Sequence, residues 1–180
     1  MVVQEATLLE VATRTLLAQP SASLGEIAEA AGISRTTLHA RFPTREALLA
    51  AMAHDAMDVI ETVYAGSGLD SDAPVESVLG RVVDGILPLG PRVEFLLRER
   101  SLDTQTSVTE RYDRLDAPLI GYLERAQSRG ELGREIPAWW IAWALLGTVH
   151  TAWEAVADGR LAVRDAPRLI LAILLNGIRP

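Results

Sequence analysis

The chain of 180 residues has no cysteine and no lysine, and aromatic residues make up only 5% of it. Without thiols there are no disulfides and no thiolate metal ligands, which fits a reducing compartment such as the cytoplasm. His39, His54 and His150 are far apart and form no H-E-x-x-H, so neither a metal site nor a cofactor is expected. Glycines come singly, never as G-x-G-x-x-G or a phosphate loop, and carboxylate pairs such as Glu131 and Glu135 stand near a helix start as solvated charges. No catalytic constellation remains, so an enzyme is not expected. No basic stretch followed by an apolar run opens the chain, so no secretion signal is expected. Positive charge is scarce: 17 basic residues, all arginine, stand against 24 acids, for a formal net charge of -7. A chain this acidic does not coat nucleic acid nonspecifically, because that affinity is mostly counterion release by many cations. A small local cationic footprint remains compatible with it.

What is present is a content of 49% hydrophobic residues, ample for a core, and apolar spacing that is helical throughout. No stretch alternates apolar and polar residues, so the fold class is all-α. The organising stretch is LGEIAEAAGISRTTLHARFPTRE, Leu24 to Glu46. Ser23 and Glu26 form an S-x-x-E capping box, and Leu24, Ile27, Ala28 and Ala31 then recur at helical spacing. Gly32 ends that helix by taking a left-handed conformation, and Ser34 caps a second helix over 35–41. Leu38 and Phe42 face inward, leaving Arg35, Thr36, Thr37, His39 and Arg41 outside. The Phe42-Pro43 pair then stops the helix. Two helices across a tight turn make a helix-turn-helix, whose second helix can enter a DNA major groove. From Ile33 to Arg45 there are three arginines and no acid.

This segment resembles the DNA-binding domain of the TetR family of transcriptional regulators, whose pattern runs from I-A-x-x-A-G-V-S through T-L-Y-x-H-F to Lys-Glu-x-L-L. Here Ile27, Ala28, Ala31, Gly32, Ile33 and Ser34 carry the first part, and Thr37, Leu38, His39, Arg41 and Phe42 the second. Thr44, Arg45, Glu46, Leu48 and Leu49 carry the third. His39 replaces the usual tyrosine, Arg41 a frequent histidine and Arg45 a common lysine; each substitute still donates to phosphate. The resemblance implies a helix-turn-helix DNA-binding domain over residues 1–46 and a larger helical ligand-binding and dimerisation domain over 47–180. It further implies that Arg35, Thr36 and Thr37 meet base edges while Ser34, His39, Arg41, Thr44 and Arg45 hold phosphates. Many relatives carry a basic arm before the first helix. This chain opens MVVQEATLLE, so if that start is native its DNA affinity should be modest or strongly salt-sensitive.

Along the chain, residues 4–18 read as a first helix, and Thr44 caps a fourth that runs through Leu48, Met52, Met57 and Ile60 toward Tyr64. GSGLDSDAP, Gly66 to Pro74, is a loop. Helices over 75–87 and 91–99 are split by Pro88, Gly90 and Pro91. Val108, Tyr112, Leu115, Leu119, Tyr122 and Ala126 form one stripe, bent at Pro118. Ile136 to Trp153 holds no charge in 18 residues. Its length approaches a membrane span, but Gly147, His150 and several Thr and Trp residues interrupt it and no flanking Lys/Arg cluster anchors it. Trp139, Trp143, Leu146, His150 and Trp153 form one stripe, and Ile141, Leu145, Val149 and Val156 another, so this helix should be buried all round. Residues 169–175, LILAILL, form a second all-apolar helix.

By the resemblance, these last two helices build a homodimer through a four-helix bundle. A two-fold pair suits a palindromic operator with half-sites roughly 34 to 36 Å apart, or a multiple of that. Tryptophans at helical spacing are by themselves as well explained by packing; the resemblance implies that these, with Phe95 and Tyr112, line a largely apolar pocket for a small-molecule effector. Phe95, Tyr112, Trp139, Trp143 and His150 are its candidate lining, with His150 as the polar anchor. The expected function is that of a ligand-responsive dimeric repressor. The alternative is a helical ligand- or protein-binding module that has lost DNA affinity, which the acidity and the missing basic arm would suit.

Overall fold

The computed structural model describes residues 5–178, and among them there are ten α-helices and no strand. Residue 4, assigned by its spacing to the first helix, and the opening stretch expected to lack a basic arm lie outside the described residues. The chain divides into two compact units, one formed by residues up to Asp58 with Pro91–Tyr112, the other by Val59–Gly90 with Asp113 to the end. That differs from the expected boundary between residues 46 and 47. A helix pattern reveals where an element starts, not which of two cores its apolar face joins.

The first unit opens with α1 (Glu5–Ala18), α2 (Leu24–Ala30) and α3 (Arg35–Arg41), followed by α4 (Arg45–Gly66) as far as Asp58. Ser23 Oγ accepts from the Glu26 amide at 3.2 Å while the Glu26 carboxylate accepts from the Ser23 amide at 2.7 Å, completing the capping box. Gly32 has φ of 67°, the left-handed value the turn requires. Leu8, Ala12, Ile27, Ala28, Leu38, Leu48 and Met52 make the core. α3 buries a single side chain, Leu38. With Phe42 at its C-cap also buried, the segment docks through these two side chains, and truncating Leu38 to Ala should cost about 2–5 kcal/mol. From further along the chain, α6 (Gly90–Arg98) contributes Val93 and Phe95, and α7 (Thr106–Leu115) contributes Val108. Arg92 joins Asp55 at 2.9 Å and Arg111 joins Asp58 at 2.5 Å, tying this segment to α4.

In the second unit, α5 (Val75–Ile86) lays its apolar face against α10 (Ala166–Ile178), and α9 (Ala138–Ala157) packs on both α8 (Ala117–Ser128) and α10. The proline and glycine break after α5 becomes a tight 3-10 turn, Leu87–Leu89. The stripe expected to bend at Pro118 is in fact two helices. They separate at Asp116, and Pro118 occupies the first turn of α8, where its missing N–H costs nothing. The loop after α4 is pinned by side chains: Arg81 Nε donates to Ser67 O at 2.9 Å, the buried Tyr122 hydroxyl donates to Ala73 O at 2.7 Å, and Arg125 donates to Leu69 O. Gln127 Nε2 reaches the carbonyls of Gly133 at 2.7 Å and Ile136 at 2.8 Å, fixing the chain between α8 and α9.

Burial on α9 corrects the sequence expectation. Ile141, Ala142, Leu145 and Val149 are buried, but Trp139, Trp140 and Trp143 are 45%, 54% and 58% exposed. α10 behaves alike: Ile170, Leu174 and Leu175 are buried while Leu169 is 37% and Ile173 67% exposed. Each helix is apolar all round, yet a single chain covers only one face.

Candidate functional site

The exposed face of α3 carries Arg35, Thr36, Thr37, His39 and Arg41, all exposed, as are Ser34 and Thr44 at the flanking caps. Ser34 Oγ accepts from the Thr37 amide at 3.0 Å and lies 2.8 Å from the Thr37 hydroxyl. If Thr37 donates that second bond, the Ser34 proton stays available for a phosphate oxygen. Thr44 Oγ1 accepts from the Ala47 amide at 3.1 Å. The neighbouring Glu46 carboxylate is held below the usual range, first by its own backbone N–H and then by the Thr44 hydroxyl. The site thus offers four short hydroxyls, two arginines and a histidine on exposed positions of α3 and its flanking caps.

Arg45, to which the resemblance gives a phosphate, is engaged with the chain's own backbone. It is half-buried, and its two terminal nitrogens donate to Ala22 O at 2.5 Å and Pro20 O at 2.7 Å. It therefore braces the turn between α1 and α2 against the start of α4. A planar fork can span two carbonyls in this way, whereas an ammonium is a point charge.

The five effector candidates are divided between the two compact units. Phe95 and Tyr112 belong to the first compact unit, where Phe95 is buried and Tyr112 is 38% exposed. Trp139, Trp143 and His150 belong to the second. Trp139 packs edge-on against Trp140 at 5.5 Å and Trp143 at 5.3 Å, on the exposed side of α9. His150 is separate from them: its ring stacks on Trp153 at 6.2 Å, its Nε2 lies 3.7 Å from Glu154, and its Nδ1 is buried without a hydrogen-bond partner. One concavity, of about 540 Å3, is lined by Leu87, Pro88, Trp153, Val156, Val163 and Pro167, with Asp84 and Arg164. A second, of about 530 Å3, lies between the end of α4 and α8.

Residues 8–52 match the model of bacterial regulatory proteins of the tetR family. The HTH-type transcriptional repressor LfrR of Mycolicibacterium smegmatis is 34% identical over 176 residues, which span 95% of this chain and 88% of that protein. The chain belongs to the TetR family. Its fold matches the crystal structure of LfrR from Mycobacterium smegmatis in complex with proflavine, with a TM-score of 0.78 and 29% identity over 97% of this chain and 96% of the other. Apo AibR matches with a TM-score of 0.77 at 19% identity over 94% of this chain and 97% of the other, a likeness of fold alone. This TetR-family chain is a DNA-binding transcriptional regulator, and the relatives it resembles are regulators, not enzymes. Among the described residues no helix is long and apolar enough to cross a membrane, and no group of acids and histidines could hold a metal ion.

Two functional features escaped the sequence. The Arg45 brace joins residues more than twenty positions apart, and no local pattern encodes it. Trp153 shares its stripe with Trp139, Trp143 and His150 in the sequence, and only the fold sets it apart, against Gly90 and beside Pro88 and Pro167.

Proposed function

We propose that this regulator is a homodimeric repressor that reads a palindromic operator and changes its DNA affinity when a flat, largely apolar effector binds. It acts in the cytoplasm. The observation that carries the dimer is the paired exposure of Trp139, Trp140 and Trp143 on α9 and of Leu169 and Ile173 on α10, two helices in contact with each other. Contiguous exposed apolar surface of this kind marks an interaction surface, and a second copy supplies the matching four-helix arrangement. Pairing two copies would set two α3 helices on half-sites about 34–36 Å apart or a multiple of it. Arg35, Thr36 and Thr37 then meet base edges, while Ser34, His39, Arg41 and Thr44 position the helix on phosphates. Arg45 contributes through the turn it holds.

The effector side rests on the relative: LfrR is a repressor that has been crystallised with proflavine. An effector shifts DNA occupancy only by binding one state of the dimer more tightly than the other. Binding-site selection from random duplex DNA at low salt tests the repressor. An enriched, roughly palindromic sequence is the expected result. Absence of any enriched sequence would leave a helical module without DNA affinity.

A further inference from the structure

We propose that the cleft around Trp153 is the effector site of this protein and that it takes a flat, fused-ring aromatic molecule with polar substituents at its edges; the effector role rests on the proposed function above. At about 540 Å3 the cleft falls in the range of small-molecule sites. Its walls are Leu87, Pro88, Trp153, Val156, Val163 and Pro167, and the two charges, Asp84 and Arg164, are both exposed. An isolated anionic headgroup would meet Arg164 in a cleft that the Asp84 carboxylate also lines. A ring system with donors and acceptors on its periphery uses both.

Trp153 is closely packed on the chain around it. A Cβ at position 90 would lie 1.9 Å from its Cδ1, so the indole rests flush on the backbone at the start of α6 and only glycine fits there. The His150 ring is stacked with it, at 20° between planes. An aromatic face fixed in this way loses little freedom when a second flat ring covers it. The concavity between the end of α4 and α8 offers nothing comparable. Tyr64, its aromatic residue, is 3% exposed with its hydroxyl donated to Asp116, and the Arg125 guanidinium is spent on the Gly121 and Leu69 carbonyls. Trp139 and Trp143, expected earlier to line the site, are not among the cleft residues.

The test uses the full chain and proflavine, titrated by the anisotropy of the dye. Val163 is 63% exposed at the rim, so Val163→Arg leaves the thermal midpoint close to that of the unsubstituted chain and isolates the site from folding. The expected results are saturable binding by the unsubstituted chain, a loss of at least about tenfold in V163R, and a loss of several-fold in Trp153→Phe and Gly90→Ala. Binding within twofold of the unsubstituted chain in both V163R and W153F overturns the site. So does a chain that binds decanoate, a linear apolar probe, but shows no saturable proflavine binding. The two proposals fail separately: operator selection without dye decides the repressor, and if V163R and W153F, free of DNA, still bind proflavine like the unsubstituted chain, the repressor stands and the cleft does not.

Discussion

Replacing Arg45 with Ala separates a brace from a phosphate contact. In the structure the guanidinium donates at 2.5 Å and 2.7 Å to the carbonyls of Ala22 and Pro20. Pro20 is exposed, so its carbonyl rehydrates at little cost, but Ala22 is fully buried and its carbonyl loses a charged donor. Leaving a buried acceptor without that partner costs about 1–3 kcal/mol. In a chain of this length that lowers the thermal midpoint by roughly 2–12 °C. Circular dichroism melts measure the stability, and operator binding at several salt concentrations measures the phosphate count. R45A should weaken binding to every sequence to a similar degree while leaving the slope of log K against log salt unchanged. Arg45→Lys should recover only part of the stability, because an ammonium does not reproduce the fork. A phosphate-binding Arg45 gives the opposite pattern, with a slope reduced by about 0.9 and a thermal midpoint that hardly moves. That pattern would refute the brace.

Three further outcomes follow from the same structure. Arg35→Ala should relax base preference at one operator position at a cost of about 1–3 kcal/mol, measured by repeating the selection; a loss uniform over all sequences would move Arg35 to the phosphate group. Ile173→Glu, on the exposed face of α10, should convert the dimer to monomers by light scattering at micromolar concentration and lower operator affinity with it; an unchanged dimer mass refutes the proposed interface. Asp116 is pushed above the ordinary aspartate value of 3.8 by burial, only partly offset by the Tyr64 hydroxyl, so its charged form opposes folding. Because the folded state holds this proton more tightly, stability rises as pH falls through the raised value, and Asp116→Asn should raise the thermal midpoint at pH 7 with a gain that shrinks toward pH 3.8. A gain of equal size at both pH values would show that the carboxylate charge is not the cause.

Local chemistry made much of this protein legible. Ser23 with Glu26, Gly32 and Ser34 each state their function within four residues, and α2 and α3 begin and end where they say. Periodicity also located α9 and α10, but it did not say which side of them faces the core. Ile141 and Trp139 lie on different stripes of the same helix, and both stripes are apolar. Only packing against α8 and α10 selects the first for burial. The separation of α7 from α8 at Asp116 was hidden for a related reason, since the apolar stripe runs on through it. Phe95 and Tyr112 were drawn toward the tryptophans by chemistry, whereas the fold assigns them to the unit containing α3. Arg45, finally, reads as a solvated cation in sequence because nothing near it shows the two carbonyls it will meet.

The 67–74 connection has the composition of a flexible linker, yet three side chains from α5 and α8 fasten its carbonyls. Proteases need a local stretch of backbone to open, and here opening means releasing Tyr122 and two arginines together. A fusion partner or recognition tag inserted at Asp70 would strip those anchors from the unit. The turn at Gly159, exposed and with a φ of 71°, is the better place to add sequence.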